Sequence, residues 1–343
     1  MKIGILSKPY LPIPSRAYGA IEKLVYYLVC ELSKKKEDNY YLFAPGDSQN
    51  IEGVQLESLF KEGVGGRINN EQVELLQALH CLERSKELNL DVIHAHSVDP
   101  ILAFSSSVEI PILFSFHTFP NEINKYLSRR ADHLHYTFVS ESHRQQFPWL
   151  KKTHVVYPGI NPDNFPFCDN KDKYLAFVGS VCPEKGIMEA IDIAQVSGKS
   201  LKIAAKVQPG NEEFFQKQFL PAVENNKKIE FLGELKEVER NELLKRAECL
   251  LFPIKWDEPF GLVQLESLVV GTPVIGFNRG AVSEVIEDGK NGFIVNNVEE
   301  AVSVLDKITT ISPQNCRKTV TEKFSSIIST RHYMEIYKNI VKS

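Results

Sequence analysis

Residues 249–276 read CLLFPIKWDEPFGLVQLESLVVGTPVIG. The short apolar run 249–253 (CLLFP) has the length and composition of a buried strand. A polar loop with Glu258 follows, Pro259 closes its turn, and a helix is expected to open near Phe260–Gly261. Gly-Thr-Pro at 271–273 stops that helix, and 273–276 (PVIG) starts another strand. Strand, helix, strand in this order is a βαβ unit, whose crossover is right-handed and whose two strands run parallel.

The same alternation extends in both directions. Strands are expected at 2–6 (KIGIL), 40–44, 91–95 (DVIHA), 112–116 (ILFSF) and 134–139. A second series follows at 174–179 (YLAFVG), 201–205, 229–232, 249–253, 273–276 and 292–295. Between strands lie segments of helical period, such as 20–35, where Ile21, Leu24, Val25, Leu28 and Leu32 share one face. Residues 157–172 (YPGINPDNFPFCDNKD) carry three prolines and no helical period, so the two series are separated there. The expected division is an N-terminal Rossmann-like domain over 1–160, a linker over 161–172 and a second domain over 173–321. A terminal helix over 322–343 is free to pack back on the first domain. The fold class is α/β with mainly parallel sheets.

Composition narrows the function. Of 343 residues, 43% are hydrophobic and 24% charged, which is ordinary for a globular protein. Residues 1–164 hold 17 basic and 19 acidic side chains and the remainder 23 and 25, so neither half has the basic excess of a nucleic-acid binder. The six cysteines are dispersed and form no C-x-x-C pair, which reads as reduced thiols in a cytoplasmic protein rather than a disulfide frame or zinc ribbon. The longest apolar run, 259–277, is broken by Glu266 and Gly-Thr-Pro, and membrane association is unsupported. Eight of nine histidines lie at or before His154.

The loop-to-helix junction at 256–266 holds the strongest chemical signal. A helix N-terminus offers backbone N–H groups suited to a phosphate or sugar oxygen. Glu258 in the loop and Glu266 one to two turns inside the helix can face one ligand at different depths. Carboxylates there accept hydrogen bonds from vicinal hydroxyls. The plain reading of Glu258 is an acid stabilising a helix start. His117 follows strand 112–116, at a carboxyl end where α/β sheets bind ligands. His94-x-His96 ends strand 91–95 on one face and is open to reading as a metal pair or as packed side chains. Gly19 joins the first strand to the first helix in Pro12–Glu22, allowing close backbone approach.

Glu258-Pro-Phe-Gly-Leu-x-x-x-Glu266 resembles the E-x7-E motif of the retaining GT-B glycosyltransferases of family 4. Residues 177–186 (FVGSVCPEKG) resemble that family's G-R-x-x-P-E-K-G stretch, and 153–165 (THVVYPGINPDNF) its interdomain linker. Residues 280–294 (GAVSEVIEDGKNGFI) are similar to its G-G-x-x-E segment, and 18–22 (YGAIE) to its N-terminal glycine loop. The resemblance implies a GT-B fold, two Rossmann-like domains facing an interdomain cleft, with a hinge at the linker. It implies a metal-independent hexosyltransferase that moves a sugar from a nucleoside-diphosphate sugar with retention, with no cofactor.

Carried over residue by residue, Glu266 binds the donor ribose and Glu258 the donor sugar, while Phe260, Gly261 and Leu262 offer backbone contacts. Lys185 neutralises the departing diphosphate, and His117 hydrogen-bonds the reacting sugar. Gly19 and Ser180 complete the donor set. Ser180 stands where the family has an arginine, so its charge must come from elsewhere. Lys206, at the end of strand 201–205, is the preferred replacement, ahead of Arg279. The acceptor is a sugar, a lipid-linked sugar or a small molecule, with no nucleic-acid polymer as partner. No D-x-D, P-loop or G-x-S-x-G motif occurs. Alternatives left open are an epimerase or phosphorylase on the same fold, a catalytically inactive sugar-nucleotide binding module, and a hydrolase using His94, His96 and His117 on a metal.

Overall fold

The structure is a computed structural model that describes residues 1–15, 19–65 and 70–342. Tyr18 of the glycine loop lies outside the described residues. The chain divides into two compact units, one comprising Met1–Ile160 with Ser326–Ser343 and the other Asn161–Ser325.

The first unit is built on a seven-stranded parallel sheet: β1 (Lys2–Leu6), β2 (Asn39–Phe43), β3 (Val54–Glu57), β4 (Val92–His96), β5 (Ile112–Phe116), β6 (His135–Phe138) and β7 (Thr153–Val155), in spatial order β3-β2-β1-β4-β5-β6-β7. The second has six: β8 (Tyr174–Val181), β9 (Ser200–Val207), β10 (Ile229–Gly233), β11 (Cys249–Phe252), β12 (Val274–Phe277) and β13 (Gly292–Val295), in order β10-β9-β8-β11-β12-β13. Both orders start in the middle, run to one edge and return past the first strand. The reversal falls between β1 and β4 in one sheet and between β8 and β11 in the other. Such a reversal opens a crevice beyond the strand carboxyl ends.

Every residue of β4, β5, β11 and β12 is buried, because helices cover both faces of a parallel sheet. Around the first sheet the pleat sorts side chains into two cores. Leu6, Ile93, Ala95, Phe114 and Phe116 point to one, and Ile3, Ile5, Val92 and Leu113 to the other. The second core is closed by Val25, Leu28 and Leu32 of helix Ala20–Ser33 and by Tyr333, Met334, Tyr337 and Ile340 of the C-terminal helix. That helix spans Ser326–Lys342 and is separated from Pro313–Lys323 by a break at Phe324–Ser325, instead of starting near 322. The Ser326 N–H donates to the Ile160 carbonyl at 2.9 Å, which ties the helix start to the end of the first unit.

Residues 161–172, read as a linker, are fastened along the second unit. The Lys171 ammonium donates to the Lys245 carbonyl and the Thr272 hydroxyl, each at 2.9 Å. Arg317 donates to the Pro162 and Val269 carbonyls, also at 2.9 Å. These bonds consume the polar groups of a segment that has too few apolar residues to anchor itself. Among the described residues, no helix is long and apolar enough to cross a membrane.

Candidate active site

In the second unit the sequence-marked residues gather beyond β8 and β11, where the strand order reverses. After β8 the chain makes a short turn, Pro183–Lys185, and Gly186 follows with φ +70°. A Cβ on Gly186 would stand 1.8 Å from the Pro253 carbonyl oxygen, so only glycine lets this turn press on the end of β11. The Lys255 N–H then donates to the Glu184 carbonyl at 2.8 Å, joining the two loops. As a result Lys185 Nζ meets Glu258 Oε2 at 2.5 Å, with both side chains largely buried. Trp256 Nε1 donates to the same oxygen at 2.5 Å, and the Lys185 ammonium lies 5.1 Å from the Trp256 ring centroid.

The loop carrying Glu258 is backed by main chain. Gly280 has φ +54°, and a Cβ there would come within 2.4 Å of the Glu258 carbonyl oxygen, which also accepts from the Ala281 N–H at 3.3 Å. This explains in steric terms the Gly280–Ala281 opening of the 280–294 segment.

Gly261, with φ +80°, heads the helix Leu262–Val269. A Cβ on it would lie 2.6 Å from the Phe252 ring. Phe260 is buried and stands edge-on to Phe324 with centroids 5.9 Å apart, so its side chain is packed into the interior of the unit. Glu266 is 7% exposed and takes hydrogen bonds from Arg240 Nε and Nη2, both 3.2 Å long. Arg240 sits in the helix Glu237–Arg246 and belongs to no motif read from the sequence.

Ser180 is 8% exposed and its hydroxyl accepts from Gln208 Nε2 at 3.1 Å. Lys206 is its register partner on β9, which puts a cation beside the position that lacks one. The Lys206 ammonium is half-exposed, with Glu234 at 3.6 Å. For Arg279 the structure gives a backbone bond to Phe277.

Gly19 and His117 stand in the first unit. Gly19 heads the helix Ala20–Ser33 with an extended φ of 176°, so the requirement for glycine is steric: a Cβ would lie 2.5 Å from Ser15 Cβ. His117 follows β5, and its Nε2 pairs with His96 Nδ1 at 3.0 Å across stacked rings. His94 is spoken for by hydroxyls, with Nδ1 2.6 Å from the Tyr337 oxygen and Nε2 2.6 Å from Ser115 Oγ. The His94-x-His96 pair is therefore a packed, hydrogen-bonded element rather than an open metal chelate. His135 Nδ1 likewise pairs with His154 Nε2 at 3.2 Å. Burial holds His94, His96 and His117 well below the usual imidazole range, so all three are neutral. Asp99, just beyond β4, has its carboxyl pushed up to about 6 by burial. Among the described residues, no three His, Cys, Asp or Glu side chains are arranged to hold a metal ion.

The chain thus has two doubly wound units, the second with a lysine–carboxylate pair and a helix N-terminus at its switch point. Comparison with known proteins specifies the class. The family model described as Glycosyltransferase Family 4 matches residues 21–164, and that described as Glycosyl transferases group 1 matches residues 164–322. The chain belongs to this family of glycosyltransferases and has the GT-B fold. It is 26% identical over 350 residues to a glycogen synthase of Mycobacterium tuberculosis, covering 85% of this chain and 81% of that one. Its fold is similar to that of AviGT4, a glycosyltransferase involved in avilamycin A biosynthesis (TM-score 0.78, 20% identity, 99% and 98% of the chains covered). It is also similar to Anabaena Alr3699/HepE, solved in complex with UDP (TM-score 0.76, 15% identity, 99% and 100% covered).

Proposed function

We propose that this glycosyltransferase takes a nucleoside-diphosphate sugar as donor and transfers the sugar with retention of anomeric configuration, without a metal ion. The observation that carries this reading is the Lys185–Glu258 pair at the β8/β11 switch point. As the anomeric C–O bond breaks, its electron pair passes to the diphosphate oxygen, and a fixed ammonium stabilises that charge better in the transition state than in the ground state. When the diphosphate draws Lys185, the Glu258 carboxylate is released to accept hydrogen bonds from the sugar hydroxyls. The acceptor oxygen then bonds to the anomeric carbon from the same face, and its proton goes to the leaving phosphate.

Glu266, oriented by Arg240, is assigned to the ribose hydroxyls, and the backbone at Phe260, Gly261 and Leu262 to the donor. Ser180 and Lys206 flank the diphosphate. In the first unit His117 is assigned to hydrogen-bond a sugar hydroxyl, and Gly19 to the glycine loop. The UDP-glucose complex of the HepE relative supports a nucleotide-sugar donor. The lack of a D-x-D motif supports metal independence. The acceptor is a sugar, a lipid-linked sugar or a small molecule.

A thermal-shift panel of UDP, GDP, ADP and their sugars tests the donor, because a ligand of the native state raises the melting temperature. A shift with one nucleotide series is expected, and no shift with any of them overturns the reading. Proton NMR of the first-formed product reads retention, and turnover that falls on adding EDTA overturns metal independence.

A further inference from the structure

We propose that His96 is a positioning residue for His117: it sets the ring orientation and tautomer that His117 presents to a sugar hydroxyl, and the C-terminal helix holds His96 in turn. This rests on the assignment of His117 made above. The strand register supplies the first support. His96 pairs with Ser115 between β4 and β5, and His117 lies two residues beyond Ser115 on the same face, so the two rings are neighbours. His96 is 2% exposed and is clamped on both sides, by His94 at 4.0 Å and by His117 at 5.3 Å between ring centroids. The C-terminal helix fixes this stack from one end, because Tyr337 bonds His94 and the Tyr333 ring lies 4.7 Å from His94 and 6.5 Å from His96.

The second support is a set of three buried polar atoms without a partner: His96 Nε2, His117 Nδ1 and Thr330 Oγ1. All three residues line one cavity of about 20 Å³ within the first unit, with Ser326, Ser329 and Tyr333. A neutral imidazole has one donor and one acceptor nitrogen, so the His96–His117 bond allows two states of opposite polarity. When His117 Nε2 carries the proton, His117 Nδ1 accepts and His96 Nε2 donates. When His96 Nδ1 carries it, His117 Nδ1 donates and His96 Nε2 accepts. What meets His96 Nε2 inside the cavity therefore decides whether His117 offers a donor or an acceptor. Thr330, on the C-terminal helix, lines that cavity with His96.

The test compares His96→Leu, His96→Asn and His117→Ala, using release of nucleoside diphosphate from UDP-glucose, GDP-mannose and ADP-glucose. Asparagine places a polar atom near the Nδ1 position, so it can keep the bond to His117. For His96→Leu, kcat is expected to fall about tenfold or more with donor KM nearly unchanged, while His96→Asn recovers most of the loss. Adding His96→Leu to His117→Ala should cost little more than His117→Ala alone. A large loss in His117→Ala with none in His96→Leu overturns the positioning role. Full activity in His117→Ala overturns instead the assignment of His117. Two-bond proton–nitrogen NMR of histidine-labelled protein decides the tautomer without turnover and covers a leucine variant that does not fold. His117 is expected in one tautomer in the native protein and to keep it in His96→Asn; a mixture of tautomers in the native protein overturns the proposal.

Discussion

Arg240 holds both carboxylate oxygens of Glu266, from Nε and Nη2 at 3.2 Å each. The geometry is bidentate, so it fixes the plane of the carboxylate as well as its position. Glu266 is buried in a helix whose other residues, from Gln264 to Val269, are buried as well, and it has little freedom of its own. On the proposed reading it binds the donor ribose, and Arg240 presents it already oriented. Arg240→Met is expected to weaken binding of the preferred nucleoside diphosphate about tenfold, near 1.4 kcal/mol. Arg240→Lys should recover only part of this, because an ammonium cannot grip both oxygens in one plane. Titration calorimetry measures it, and unchanged affinity in Arg240→Met would remove Arg240 from the site.

Lys185 has a different expected signature. Its partner Glu258 keeps a hydrogen bond from Trp256 Nε1, so losing the ammonium does not leave the carboxylate bare. Lys185→Met should therefore change the melting temperature little, since a partly exposed ion pair contributes about 1 kcal/mol or less. Its cost falls on the leaving group, with kcat lower by about 100-fold or more. A rise in donor KM with kcat intact would mean that Lys185 binds the ground state and the transition state equally.

At Ser180 the charge expected of this family is missing, and the hydroxyl is already engaged by Gln208. Lys206, its neighbour across the β8–β9 ladder, has a loose surface partner in Glu234 and is half-exposed, so it can reorient at small cost. Lys206→Ala is expected to lower kcat/KM well beyond twofold. A loss within about twofold, 0.4 kcal/mol, would show that Lys206 carries none of the missing charge. Glu234→Gln serves as the counterpart and should leave activity the same or raise it, because it frees the ammonium.

How much of this was legible in the sequence depended on whether the signal was local. Strands β4, β5, β11 and β12 are short apolar runs because helices cover both their faces, and each was readable. Val54–Glu57 was missed because it is an edge strand with only Glu57 buried, and Thr153–Val155 because three half-buried residues after two lysines carry no pattern. The 258–266 motif was readable because one loop and one helix hold both acids. Arg240 was not, since it looks like any charge on the helix Glu237–Arg246 until Glu266 is brought to it. The His96–His117 bond was equally hidden: it depends on the register of two strands twenty residues apart. The break at Phe324–Ser325 is also tertiary, because Phe324 packs on Phe260 while Ser326 bonds Ile160.

The buried histidines make a prediction about pH. His143 is 1% exposed, and burial pushes it down to about 4, partly offset by its hydrogen bond to the Thr118 carbonyl at 3.0 Å. In the unfolded chain it titrates near the ordinary imidazole value, about 6.5. Between these values the unfolded state binds the proton and the folded state does not, so stability falls as pH falls. His94, His96 and His117 are shifted the same way by burial and add to the loss. Asp99 opposes it: its carboxyl, raised to about 6, takes up a proton in the folded state first. His80, His135 and His154 are lowered by burial as well, and together the histidines outnumber the raised acids Asp99, Glu22 and Asp192, so unfolding free energy should decline as pH falls below about 6.5. His143→Gln keeps a donor for Thr118 and removes one titrating group. Urea titrations at pH 6.5 and 5 should show a decline smaller by about 2 kcal/mol in this variant than in the native protein. An identical decline in both would mean that His143 is protonated in the folded state as readily as in the unfolded one.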